Sequence, residues 1–143
     1  MFIRKKGKTK FMYFPIAASV AIGKGAAVAL ASGTIVAALN DVAVYNVVGV
    51  LAEERATTDA DYAVAKQVAV EVPVEKWVEW EVLVNSTLAT SDVGLYLDFA
   101  TTDTGLSVDH GVSTLDHFFV TKFVSTTKAI GVLNCGPDAH TKA

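Results

Sequence analysis

Two Asp-His pairs, Asp109-His110 and Asp116-His117, are the first places in this chain where side chains could move a proton or hold a metal. An imidazole beside a carboxylate suits general acid–base work, and three or four convergent ligands suit zinc. The other histidine, His140, and the single cysteine, Cys135, supply no HExxH, CxxC or GxSxG spacing. The Asp-His pairs therefore read as surface or cap residues, one on a loop and one at a strand start. Glu75, Glu79 and Glu81 share parity with Trp77, which imitates a glycosidase carboxylate pair; acids on the wetter face of a strand need no such role. Glu53, Glu54, Asp59 and Asp61 concentrate acid but lack the ligand spacing and central glycine of an EF-hand. Gly23-Lys24-Gly25 lacks both the Walker spacing and the third glycine of a dinucleotide loop, and reads as a tight turn. A single cysteine leaves no internal disulfide and suits a reducing cytoplasm. The sequence assigns no catalytic residue, no metal ligand and no cofactor.

The elements that would position these groups are strands. Between Tyr62 and Val84, ten of the twelve even-numbered residues are apolar, while the odd positions carry Gln67, Glu71, Glu75, Glu79 and Glu81. That period of two gives one buried face and one wetter face. Twenty-three extended residues would span roughly 75 Å, too long for one small domain, so the chain must turn or bend near Pro73–Lys76. Preserved parity favours a bend, bulge or three-residue loop over a two-residue hairpin. Further strands are expected in 16–39, then over Val42–Ala52, Val93–Ala100, Asp116–Ser125 and Lys128–Asn134. In Val93–Ala100, Leu95, Leu97 and Phe99 are expected inside and Tyr96 and Asp98 outside. Val47-Val48-Gly49-Val50-Leu51 echoes Ala129-Ile130-Gly131-Val132-Leu133. A glycine inside each strand points to close backbone approach and to curling, as a small barrel requires. The fold expected is all-β, one domain over 16–135.

Charge is divided unevenly. Arg4, Lys5, Lys6, Lys8 and Lys10 stand in the first ten residues without an acid, leaving seven basic against fifteen acidic residues in the remainder of a 143-residue chain. Phe11-Met12-Tyr13-Phe14 then precede Pro15, which holds Phe14 extended. Residues 1–15 read as an extended arm, removable from the body, that binds a partner or neighbouring subunit through Arg4, Lys5, Lys6, Lys8, Lys10, Phe11, Tyr13, Phe14 and Pro15. Basic residues among aromatics also describe a nucleic-acid arm, but the acidic body would repel phosphates. The apolar run Phe11–Ile22 is broken by Pro15 and closely followed by Lys24, unlike a signal peptide. No run reaches the roughly 18–20 apolar residues of a membrane-spanning helix. The tail 136–143 is polar.

Residues 23–36 (GKGAAVALASGTIV), 47–54 (VVGVLAEE), 62–72 (YAVAKQVAVEV) and 129–134 (AIGVLN) together resemble the small capsid decoration, or cement, proteins of tailed bacteriophages, over roughly residues 16–134. The resemblance implies a β-barrel or β-tulip domain and a non-enzymatic, often trimeric, virion protein. Such a protein is assembled in the host cytoplasm and seated on the outer capsid lattice, stabilising it by contact with the major capsid protein. The basic run Arg4–Lys10 departs from the family pattern. Alternatives left open by the residues are a tail-tube or head–tail connector component and a small β-barrel that binds a ligand.

Overall fold

The computed structural model describes residues 1–101, 105–111 and 115–135. The polar tail 136–143, with His140, lies outside them. Eleven strands follow in order among the described residues: β1 (Ile3–Lys6), β2 (Thr9–Ile16), β3 (Ala27–Ala31), β4 (Thr34–Ala37), β5 (Val47–Leu51), β6 (Lys66–Pro73), β7 (Glu79–Asn85), β8 (Tyr96–Phe99), β9 (Ser107–Asp109), β10 (Phe118–Ser125) and β11 (Lys128–Leu133). The only helical pieces among them are two short 3₁₀ turns, Val44–Asn46 and Thr90–Asp92.

Five strands close a barrel in the order β7-β11-β10-β8-β9, returning from β9 to β7. Every pairing in it is antiparallel except β7–β9. The interior is filled by Trp80, Val82, Leu97, Phe99, Val108, Phe118, Val120 and Ala129, all buried. The second sheet runs β2-β6-β5-β3-β4 and is antiparallel throughout. Its two edge strands lie near each other without a hydrogen-bonded ladder between them. One side of this sheet gives Ala27, Val47 and Val50 to the barrel's core, and the other curls over a second core of Ile16, Val28, Ile35, Leu51, Val68 and Val70. A strand covered on both faces cannot alternate, which is why Ala27-Val-Ala-Leu-Ala31 is an unbroken apolar run.

Parity holds within β6 and β7, where Val68, Val70, Trp80, Val82 and Val84 are buried, and at Val78; it fails outside them, since Val64 and Val74 are exposed and residues 62–65 form a turn ahead of β6. The break is a bend rather than a hairpin, because β6 belongs to the curled sheet and β7 to the barrel. The first sixteen residues follow the same path in reverse. β1 pairs with β7 through Ile3↔Glu81 and β2 with β6 from Thr9↔Pro73 to Ile16↔Lys66. The sequence suggested a removable arm; residues 1–15 are extended, but as integral strands of both sheets. Phe2, which the sequence reading did not single out, is buried in the barrel core. Both echo glycines sit where a side chain would not fit. A Cβ on Gly49 would strike the Glu71 carbonyl, and one on Gly131 the Phe119 carbonyl.

The β8 expectation was half right. Leu97 and Phe99 are buried, but Leu95 precedes the strand and is exposed, while Asp98 is completely buried. Asp98 is tolerated inside because its carboxylate accepts backbone N–H groups of Leu115 (3.0 Å) and Asp116 (2.9 Å).

Candidate functional site

The Asp-His pairs separate. His110 is half-buried and its Nε2 lies 3.0 Å from Asp92 Oδ2, while Asp109 accepts the Gly111 N–H. Asp92 also accepts the Ala89 N–H, and these contacts, the Ala89 bond foremost, hold its carboxyl below the usual carboxylate range. The second pair is not on the surface, contrary to the sequence reading: Asp116 is 4% and His117 0% exposed. His117 Nδ1 accepts the Phe99 N–H at 3.1 Å, and Nε2 donates to the Val42 carbonyl at 2.6 Å. Those bonds fix one neutral tautomer, and burial pushes the imidazole pKa down. Its ring stacks on Phe99, centroids 4.3 Å apart. This histidine joins β8, β10 and the segment before Val44.

The other polar candidates are also engaged structurally. Glu75 accepts the Lys8 N–H at 2.8 Å, Glu81 pairs with Lys5 at 3.6 Å, and Glu79 meets the Thr121 hydroxyl at 3.4 Å. In the Gly23–Gly25 turn, the Gly25 N–H is spent on the Leu51 carbonyl and its own carbonyl accepts the Phe2 N–H. Burial pushes the Cys135 thiol up to about 12, so it stays protonated and unreactive at neutral pH. Among the described residues no group of three or more His, Cys, Asp or Glu side chains could hold a metal ion, and no helix is long and apolar enough to cross a membrane.

One buried ion escaped the sequence reading. Arg55 is 1% exposed, and its Nη2 donates to the carbonyls of Tyr62 (2.6 Å) and Val64 (2.5 Å). Its backbone bridges Ile22. A guanidinium is always charged, so it serves here as a clamp on the 56–65 loop. The Glu53–Asp61 acids gave no hint of it, because the signal lies in a single cation among them.

The surface that remains available is the leading strand pair. Arg4 Nε reaches Glu71 Oε1 at 2.6 Å, joined there by the Thr9 hydroxyl at 2.7 Å. Arg4 and Lys5 are thus committed within the chain. Among the described residues the ammonium groups of Lys6, Lys8 and Lys10 make no hydrogen bond or ion pair, and all three side chains are exposed. On the face of β2 opposite Lys8 and Lys10, Phe11 and Tyr13 are 64% and 67% exposed. Pro15 is exposed and Phe14 half-buried, packed against the curled sheet's core. A second feature is a groove of about 880 Å³ whose walls include Val72, Trp77, Tyr96, Phe119, Leu133 and Cys135. Phe119 stacks obliquely on Tyr96, centroids 4.9 Å apart.

No protein-family model, curated protein or solved structure matches the chain.

Proposed function

We propose that this protein is a non-enzymatic structural component of a tailed-phage virion, a decoration protein that binds the outer lattice of the major capsid protein and stabilises the head. The observation that carries the reading is the leading strand pair: Phe11 and Tyr13 are exposed on one face of β2, the uncompensated Lys8 and Lys10 project from its other face and Lys6 ends β1, on a body that is otherwise acidic. Large aromatics left in water are costly unless a partner covers them, and aromatic residues anchor most protein interfaces. Repetition over a lattice multiplies weak contacts of this kind. The texture of residues 23–36, 47–54, 62–72 and 129–134 supports the same reading, including clustering of copies in threes. Against a ligand-binding reading, the barrel interior is filled by side chains.

The test is add-back to heads assembled without this protein. Wild type is expected to co-sediment with them and to raise their thermal stability. Charge reversal of Lys6, Lys8 and Lys10 is expected to weaken binding, most visibly at low salt, since exposed charges are screened within about 10 Å at 0.1 M. Equal binding of wild type and the triple reversal would remove these lysines from the interface. A wild-type protein that ignores heads would end the reading.

A further inference from the structure

The hydrogen-bond phase of β2 shows where its backbone points. In the register of β2 with β6, Lys8 faces Val74, and the Val74 N–H donates to the Lys8 carbonyl at 3.1 Å. On β6, the odd residue Ala69 turns the other way: its N–H goes to Glu53 Oε1 and its carbonyl to the Ala52 N–H, both at 2.9 Å. In an antiparallel ladder hydrogen-bonded and non-hydrogen-bonded pairs alternate. The even residues of β2 therefore exchange bonds with β6, and the odd residues, Thr9, Phe11 and Tyr13, aim N–H and C=O off the sheet. Pro15 is in the same phase, so its missing N–H costs the ladder nothing, which is where sheets tolerate proline. Burial falls from Ile16, fully buried, to Lys10–Tyr13, all exposed, so the first half of the strand stands clear of the core. β2 makes no ladder on its outer side, where β4 lies near without hydrogen-bonding to it, and it carries two bare aromatics, the kind of edge that proteins otherwise protect.

We infer that this edge is a self-association surface: two copies join β2 to β2 antiparallel about a twofold axis at Met12, making one continuous ten-stranded sheet. The sequence of the strand complements itself in that register. Phe11 of each copy falls opposite Tyr13 of the other, through the residues whose N–H and C=O are unused, and directly opposed aromatics are favourable cross-strand pairs. Charge selects the same register. Lys10 falls opposite Phe14 and Lys8 opposite Ile16, so no lysine meets a lysine, whereas an axis at Phe11 would bring the two Lys10 side chains into diagonal contact. The inference goes beyond the virion reading and departs from its clustering in threes; it needs only the sheet edge, so its test is separate from binding to heads.

The experiment is analytical ultracentrifugation of the full chain over a concentration series, with amide hydrogen exchange of residues 9–15 measured alongside. Association to twice 15.1 kDa is expected, together with at least roughly tenfold slower exchange at Phe11 and Tyr13 in the dimer. Tyr13→Pro is the discriminating variant. It removes only an outward-pointing donor, so it is expected to fold and remain monomeric. Should it fail to fold, Phe11→Lys with Tyr13→Lys tests the same contact through exposed side chains. A chain that stays monomeric at every concentration overturns the inference, and so does a dimer that persists in the folded variants. A trimer without protection at Phe11 and Tyr13 overturns it equally.

Discussion

Phe2 stands edge-on to Phe99, ring centroids 6.0 Å apart and planes at 82°. A second edge contact runs to Phe118 at 5.9 Å. The second residue of the chain is therefore a core residue of a barrel whose strands begin at residue 79. Phe2→Ala is expected to destabilise the protein by about 3–5 kcal/mol, the usual cost of emptying a buried phenylalanine site. Urea unfolding measures it, and a loss below about 1 kcal/mol would mean that the leading end is dispensable. Deletion of 1–14 is expected to abolish cooperative unfolding, since β6 would lose its β2 ladder and β7 its β1 pairing.

Gly131 is expected to be the least replaceable glycine. Its Cβ would meet the Phe119 carbonyl, and the Phe118 ring at 2.7 Å, neither of which can yield without opening the β10–β11 ladder. Gly131→Ala should cost about 3 kcal/mol, the upper part of the range for overpacking. Gly33 has φ +82° and open space around its Cβ. Gly33→Ala should cost only the strain of a left-handed backbone, about 1–2 kcal/mol. Thermal melts of the two variants side by side decide this, and equal losses would contradict the close approach.

His117 makes stability depend on pH. The folded protein holds the ring neutral, with Nδ1 accepting the Phe99 N–H, while the unfolded chain takes up a proton near pH 6.5. The carboxylates of Asp98, 3.7 Å from Nδ1, and of Asp116 and Asp41 favour the charged ring, but burial outweighs them. A depressed histidine pKa means that the unfolded state binds more protons below pH 6.5, so stability is full above that pH and declines as pH falls through and below it. Denaturation midpoints between pH 8 and pH 5 should show the decline, and His117→Gln should flatten it. An unchanged slope in the variant would assign the proton elsewhere.

Arg55 is expected to govern the 56–65 loop. Arg55→Ala leaves the Val64 carbonyl without its donor and the Tyr62 carbonyl with the Ser19 N–H alone, at about 1–3 kcal/mol in total. Limited proteolysis should then cut within 56–65 before the barrel unfolds. Arg55→Lys keeps the charge but loses the planar fork, so partial protection is expected. Global unfolding with no early cut would mean that the clamp holds the whole fold rather than the loop.

Much of this was legible in the chain. The alternation within β6 and β7 set which of their residues face inward, because a strand's side-chain period is fixed by its backbone, and it lapsed at the bend between them, where Val74 is exposed. Gly49 and Gly131 announced close approach, because an apolar strand interior has no other use for glycine. Lys6, Lys8, Lys10, Phe11 and Tyr13 stood out from local composition alone. Arg4 and Lys5 did not separate from them, since Glu71 and Glu81 lie far along the chain and only the sheet register brings them across. For the same reason the leading residues read as an arm. Their local character is extended and charged, and whether an extended segment hangs free or joins a ladder depends on which distant strand edge is open. Tertiary structure made that choice, and it also placed Asp98 and His117 inside, where backbone N–H and C=O groups from other segments satisfy them. Side-chain periodicity is a property of neighbours in sequence; pairing, closure and the burial of a polar group are properties of neighbours in space.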